Sequence, residues 1–224
     1  MKSIPVSDAL IRICDIALST AALLVALPVF LPLAIALRLT GEGEIFFLNR
    51  RVGKGGKEIG LIKFATMLKN SPNVGTGDIT LRNDPRLMPL GPFLRKTKLN
   101  ELPQILNILN GDMSLIGPRP LTPKNFDFYS PAVKATLAKL KPGLSGVGSI
   151  VFRDEESILA KSGKPYLECY KEDISPYKGK LEIWYGKNRS FALYLKLIFL
   201  TAWVVVSPSS TAYRKMLPGL PERD

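Results

Sequence analysis

The chain has 224 residues, 46% of them apolar, and carries 31 Lys+Arg against 19 Asp+Glu for a formal net charge of +12. That length suits one domain, or one domain with a membrane element, and the basic excess implies anionic partners such as phosphates, lipid head groups or nucleic acid. Histidine is absent, which excludes Ser-His and Cys-His nucleophile pairs and imidazole metal sites and leaves acid–base work to Asp, Glu, Lys, Tyr or Cys.

The first element is an apolar run from Ile16 to Leu37 without a charged residue. As a helix it measures about 33 Å, close to the hydrocarbon thickness of a bilayer. Three readings compete: a cleaved signal peptide, a simple span, and a helix that enters and leaves on one face. Arg38 closes the run without a small-residue cleavage site, which counts against a signal peptide. Pro28 and Pro32 sit inside the run, and a mid-helix proline removes a backbone hydrogen bond and bends the helix. Both flanks are basic, and the positive-inside tendency places both in the cytoplasm. Cys14 borders this run and Cys169 lies far from it, so no disulfide is expected and a reducing compartment fits.

Residues 41–67 read as a loop followed by short strands. Arg50, Arg51, Lys54 and Lys57 surround a Gly-rich turn from Gly53 to Gly56. The turn is no P-loop, because no Gly-Lys-Ser/Thr follows it; on its own it reads as a basic hairpin at a membrane surface. Residues 68–86 read as a polar loop, with turn signals at Ser71-Pro72-Asn73 and Gly75-Thr76-Gly77-Asp78. A short helix then leads to Arg95.

The spacing of Leu99, Leu102, Ile105, Leu106 and Leu109 predicts a helix from Leu99 to Asn110. Asn100 stands where an N-cap belongs, and Asn110-Gly111 is a natural end. Arg95, Lys96 and Lys98 precede the helix start, and cations beside free backbone donors make an anion site. Arg119 lies between Pro118 and Pro120. A stiff arginine suits bidentate phosphate recognition, though on the residues alone a solvated arginine in a Pro-rich turn is slightly favoured. Residues 131–140 read as helical, and Lys141-Pro-Gly-Leu-Ser-Gly146 as a loop. In Arg153-Asp-Glu-Glu156, Asp154 and Glu155 form a metal pair or a solvated helix start. Phe191 to Val206 is apolar, with Phe191, Tyr194, Phe199 and Trp203. At this length it suits a helix lying in the membrane interface better than a span.

Taken in order, these motifs resemble the bacterial sugar transferases known as monotopic phosphoglycosyl transferases, from Asp15 to about Val206. The motifs are Arg51-Val-Gly, Lys63-Phe-Ala-Thr-Met67, Asn83-Asp-Pro-Arg86, Leu94-Arg-Lys-Thr-Lys-Leu-Asn-Glu-Leu-Pro-Gln104, Gly111-Asp-Met-Ser-Leu-Ile-Gly-Pro-Arg-Pro120 and Lys141-Pro-Gly-Leu-Ser-Gly146. The resemblance implies an α+β fold. A re-entrant membrane helix broken near Pro28 (residues 1–40) precedes a compact, mostly helical cytoplasmic domain with a small β-hairpin and interfacial amphipathic helices (41–206), then a tail (207–224). It implies a protein on the cytoplasmic face of the bacterial inner membrane that transfers a sugar-1-phosphate from a UDP-sugar to polyprenol phosphate, with Mg2+ as cofactor, giving UMP. Membrane lipid is a further partner, a homodimer or partner transferase is left open, and no nucleic acid is expected, because aromatics do not interleave with the basic residues.

In the family an Asp-Glu pair carries the chemistry, with the aspartate as nucleophile. Here the pair is Asn100-Glu101, and Ala65 stands where the family tends to have Arg or Lys. An amide is a poorer nucleophile and a weaker magnesium ligand than a carboxylate. Three explanations stand: Glu101 is the nucleophile, or holds Mg2+ while the lipid phosphate attacks; the chain is a silent paralogue that binds substrate or a partner; or Asn100 is an introduced substitution. The stretch 146–186 resembles a recurrent subgroup of the family in which Asn-Glu pairs occur, which favours a natural, active variant. The candidate catalytic and metal residues are Glu101 and Asn100. The candidate substrate contacts are Arg95, Lys63, Arg119, Arg153 and Asp112.

Overall fold

Helix α1 (Pro5–Leu39) is 35 residues long and runs through both Pro28 and Pro32. The computed structural model describes residues 5–71, 84–153, 155, 158–159, 162–207 and 210–223. The sequence signals at Pro72-Asn73, Gly75–Asp78, Arg82, Asn83, Asp154 and Glu156 lie outside the described residues. Helix α1 is long and apolar enough to cross a membrane, and only 6% of its most apolar window is buried. A core helix of a soluble protein would be mostly covered, so this exposure supports membrane association.

Both ends of α1 are held by the rest of the chain. Near its start, Ile11 is buried in the main core, and Arg12 donates to the Ile108 and Leu109 carbonyls at 2.5 and 2.6 Å. Those carbonyls belong to the last turn of a short helix, where free acceptors need a partner. One turn on, buried Asp15 accepts from Ser114 Oγ, the Leu115 N–H and Tyr194 Oη at 3.0, 2.9 and 2.7 Å. At the far end, Leu37 is fully buried against Phe64 and Leu94, and the Phe30 ring lies 4.7 Å from that of Phe64. Between these anchors, Leu24, Val25, Leu27 and Val29 are exposed.

Strands β1 (Phe46–Val52) and β2 (Glu58–Phe64) form the expected antiparallel hairpin. Its turn works because Gly55 and Gly56 have φ of 77° and 72°, a region open to glycine at little cost. Helix α2 (Gly91–Lys96) follows. The single helix expected over Leu99–Asn110 is instead two pieces, a 3-10 turn at Leu99–Glu101 and helix α3 (Gln104–Asn110). Lys98 takes φ 60°, the left-handed region, so the chain enters the turn at a corner. Asn100 is therefore inside the turn and makes no cap. Gly111 closes α3 with φ 90°, as its sequence predicts.

The Lys141–Gly146 stretch, expected as a loop, contains β4 (Gly143–Ser145), paired in parallel with β3 (Ser114–Ile116). The pairing depends on glycine. A Cβ at Gly143 would sit 2.0 Å from the Gly117 nitrogen, and one at Gly117 would sit 2.3 Å from the Lys141 carbonyl oxygen. Helices α4 (Pro123–Asp127) and α5 (Pro131–Lys139) lie between the two strands in sequence, and α6 (Val147–Val151) follows them. Helix α7 (Tyr166–Cys169) passes through a π turn at Tyr170–Ile174 into α8 (Ser175–Asn188).

Helix α9 (Phe191–Val206) starts at a Ser190 cap and buries Leu193, Tyr194, Leu197, Leu200 and Val204. That stripe at helical spacing joins Leu181, Tyr185 and Ile174 in the main core. The opposite side exposes Leu195, Phe199 and Trp203. A last helix, α10 (Ala212–Met216), leads to Leu217, which is buried in the same core. The architecture is α+β: mostly helical, with two small two-stranded pairings among the described residues.

Candidate active site

Strand β2 and the 3-10 turn face each other, and their meeting point is Lys63 with Glu101. On β2, residues 59, 61 and 63 share a face. Ile59 and Leu61 pack on Ile108 and Met113, which carries Lys63 along the same face toward Glu101. The register is pinned by Asn107. Its Oδ1 accepts from the Ile62 N–H at 2.9 Å, and its Nδ2 donates to the Gly60 carbonyl at 2.8 Å. A side-chain amide thus satisfies the edge of β2 that β1 leaves open, and it locks α3 to the strand.

Lys63 Nζ donates to Glu101 Oε1 at 2.7 Å, and Arg119 Nη2 lies 3.7 Å from the same oxygen. Lys63 and Glu101 expose only 17% and 21% of their side chains, whereas Arg119 exposes 53%. Burial would push the Glu101 carboxyl up, but Lys63, Arg119 and Lys98 outweigh it and hold the group at about 2. Burial lowers Lys63 below the ordinary lysine range. Glu101 opposes that shift, while Arg119 and Arg51 add to it. Lys63, Arg119 and Lys98 thus act on the Glu101 carboxylate, and Arg51 acts in turn on Lys63.

Asn100 is buried, and its Oδ1 has no hydrogen-bond partner. Such an orphan acceptor costs free energy on the order of 1–3 kcal/mol unless something donates to it or binds it. Arg95, in the last turn of α2, is half-buried and reaches Thr66 Oγ1 at 3.5 Å. Ala65 is 3% exposed, so a long cation would not fit there without rearrangement.

Two sequence candidates stand apart. Asp112 is exposed beyond the C-terminal end of α3, separated from Glu101 by the length of that helix, about 10 Å. Among the described residues, no hydrogen bond or ion pair joins exposed Arg153 to Glu101 or Lys63. Glu155, considered above as a metal ligand, instead accepts from Lys178 Nζ at 2.5 Å. No group of three acidic, cysteine or histidine side chains suited to a metal occurs among the described residues. Lys98, read from the sequence as part of an anion site, and Arg51, read as part of a basic hairpin, both act on the Lys63–Glu101 pair, and sequence reasoning missed Asn107. Asn107 left one trace, as a polar residue between apolar positions of a helix.

A family model for bacterial sugar transferases matches residues 6–208. The chain belongs to the bacterial sugar transferase family. Among its relatives, this sugar transferase is 33% identical over 202 residues to a UDP-glucose:undecaprenyl-phosphate glucose-1-phosphate transferase of Xanthomonas campestris pv. campestris, covering 89% of this chain and 39% of that protein. It is 32% identical over 209 residues to an undecaprenyl-phosphate galactose phosphotransferase of Salmonella typhimurium, covering 87% of this chain and 40% of that protein. The exopolysaccharide production protein ExoY of Rhizobium meliloti is 32% identical over 167 residues, which cover 68% of this chain and 74% of ExoY. The sugar transferase chain thus spans about two-fifths of the first two relatives and most of ExoY.

Proposed function

We propose that the chain transfers a sugar-1-phosphate from a UDP-sugar to a polyprenol phosphate, of the undecaprenyl type, giving a polyprenol-diphosphate sugar and UMP. The observation that carries this reading is the cation cluster on Glu101: Lys63 at 2.7 Å and Arg119 at 3.7 Å, with Lys98 and Arg51 acting on the pair. A cluster of cations around one carboxylate position suits a diphosphate. Phosphoryl transfer also relies mainly on positioning and charge neutralisation, which such a cluster supplies. The relatives' names, which describe undecaprenyl-phosphate sugar-phosphate transfer, support the same reaction and give no support to a silent paralogue.

In this reading an oxygen of the lipid phosphate attacks the sugar-bearing phosphorus. The bond from that phosphorus to the UMP oxygen breaks, UMP leaves with the electron pair, and no proton moves. Glu101 is a weakly basic carboxylate engaged by cations, a poor nucleophile but a good ligand for a hard cation. Asn100, an amide, attacks nothing. Magnesium takes oxygen ligands, commonly one or two carboxylates completed by substrate phosphates. Glu101 and the orphan Oδ1 of Asn100 are the oxygens that would hold such an ion together with the donor diphosphate. The chemistry such an ion would supply is neutralisation of charge developing on the leaving phosphate. Lys63 and Arg119 hold the phosphates, Arg95 adds charge from the end of α2, and Asn107 keeps Lys63 in register.

The location is part of the proposal: the cytoplasmic face of a bacterial inner membrane, entered but not crossed by α1. Support comes from the packing of both ends of α1 onto one domain while its middle is exposed. A re-entrant helix would give that pattern, and Pro28 and Pro32 each remove a backbone hydrogen bond where it would turn. The exposed Phe199–Trp203 stack on α9, with centroids 6.2 Å apart, suits the interface, where aromatic rings settle. The test is UMP release by the purified chain in detergent, given undecaprenyl phosphate, Mg2+ and a panel of UDP-sugars, against Glu101→Gln. UMP from at least one sugar, and none from the variant, is expected; equal UMP from both would refute the role of Glu101.

A further inference from the structure

We infer that the Glu101 carboxylate is a built-in stand-in for a substrate phosphate: it fills the anion seat between Lys63 and Arg119 until a diphosphate displaces it. This rests on the reading of the site as one for a nucleoside diphosphate. One oxygen, Glu101 Oε1, is shared by Lys63 at 2.7 Å and Arg119 at 3.7 Å. A phosphoryl oxygen would bridge two cations in the same manner.

The arrangement answers a problem of the empty site. Lys63 is 83% covered at its side chain (17% exposed), and a covered ammonium without a counterion is costly. With Arg119 and Arg51 also acting on it, an empty seat would repel itself. Glu101 supplies the missing charge from a turn whose corner is fixed by left-handed Lys98. Arg119 is the most exposed of the three. When a phosphate oxygen arrives, Lys63 exchanges one anion for another and is never left unpaired. Glu101 is then released, and its carboxylate becomes available as an oxygen ligand for a cation that accompanies the donor.

A stand-in competes with the ligand, so its removal should tighten binding, whereas a purely structural residue or a metal ligand would give no gain. The test titrates UDP into the full detergent-solubilised chain with a chelator present. It compares wild type, Glu101→Gln, Lys63→Met and the double variant by calorimetry, with melting curves for each. Glu101→Gln should bind UDP about tenfold more tightly, the scale of one removed charge competitor in a half-buried site. Glu101→Ala should shift in the same direction, since only the lost charge matters. Lys63→Met should weaken binding, and in its background the Glu101→Gln gain should shrink below about threefold, because the shared cation is gone. Equal or weaker binding by folded Glu101→Gln and Glu101→Ala would overturn the stand-in and leave the site reading intact. So would an unchanged gain in the Lys63→Met background. No UDP binding by any of the chains would overturn both.

Discussion

Replacing Lys63 with methionine removes the cation that Glu101 leans on while keeping a side chain of similar reach. Two effects follow from the geometry. First, the donor loses one charge-assisted hydrogen bond, worth about 1.5–3 kcal/mol, which is about 10- to 100-fold in kcat/KM. Second, the Glu101 carboxyl loses the strongest of the charges that hold it at about 2, while the burial that pushes it up remains. The sign is fixed: the wild-type carboxylate stays ionised down to about pH 2, and the variant's is protonated at a higher pH. Rates of UMP release measured from pH 4 to 8 should therefore be flat on the acid side for wild type. For Lys63→Met they should fall as pH drops within that window. Lys63→Arg should keep the flat acid side at a reduced rate. A Lys63→Met enzyme within about twofold of wild type, with no acid limb, would refute the pairing argument.

Other expectations follow from the same geometry. Direct attack by the lipid phosphate predicts no UMP when the UDP-sugar is supplied alone; a burst stoichiometric with protein would instead mean a covalent phospho-sugar intermediate and sink the displacement scheme. Asp15→Ala leaves the Leu115 N–H and the Tyr194 hydroxyl without their shared acceptor; it should cost roughly 3 kcal/mol, read as a lower melting temperature in detergent, and an unchanged melt would contradict the pinning of α1. Glu182 is buried, and burial raises its carboxyl to about 7 from an ordinary 4.5. A raised carboxyl contributes fully below the unfolded value and loses that contribution as pH rises from 4.5 to 7. Wild type should therefore lose stability between pH 5 and 8, on the order of 3 kcal/mol, relative to Glu182→Gln, and parallel melting curves across that range would contradict it.

Much of this was legible in the sequence. The hairpin followed from apolar runs flanking a Gly-rich turn, α9 from its apolar, aromatic run, and the end of α3 from Gly111. Lys63, Glu101 and Arg119 lie far apart in sequence, yet the structure brings them to one oxygen. The missed features share a cause. The β3–β4 pairing joins three-residue strands held by the close approach of Gly117 and Gly143, which leaves no alternating pattern. The corner at Lys98 depends on a left-handed lysine, a conformation that side-chain type does not announce. Asn107, Asp15 and Arg12 act through contacts across 45, 100 and 96 residues of sequence, beyond any local signal. Asp112 and Arg153 entered as weaker candidates on charge alone, and charge does not reveal which end of a short helix faces Glu101.

The decisive property of this chain is whether, with Asn100 in place, it makes a polyprenol-diphosphate sugar. Mass spectrometry of the lipid fraction after incubation with undecaprenyl phosphate, Mg2+ and a panel of UDP-sugars measures it. The expected result is one diphosphate-linked sugar lipid formed in equal amount with UMP, lost in Glu101→Gln. No lipid product from any sugar, with product appearing only after Asn100→Asp, would contradict it.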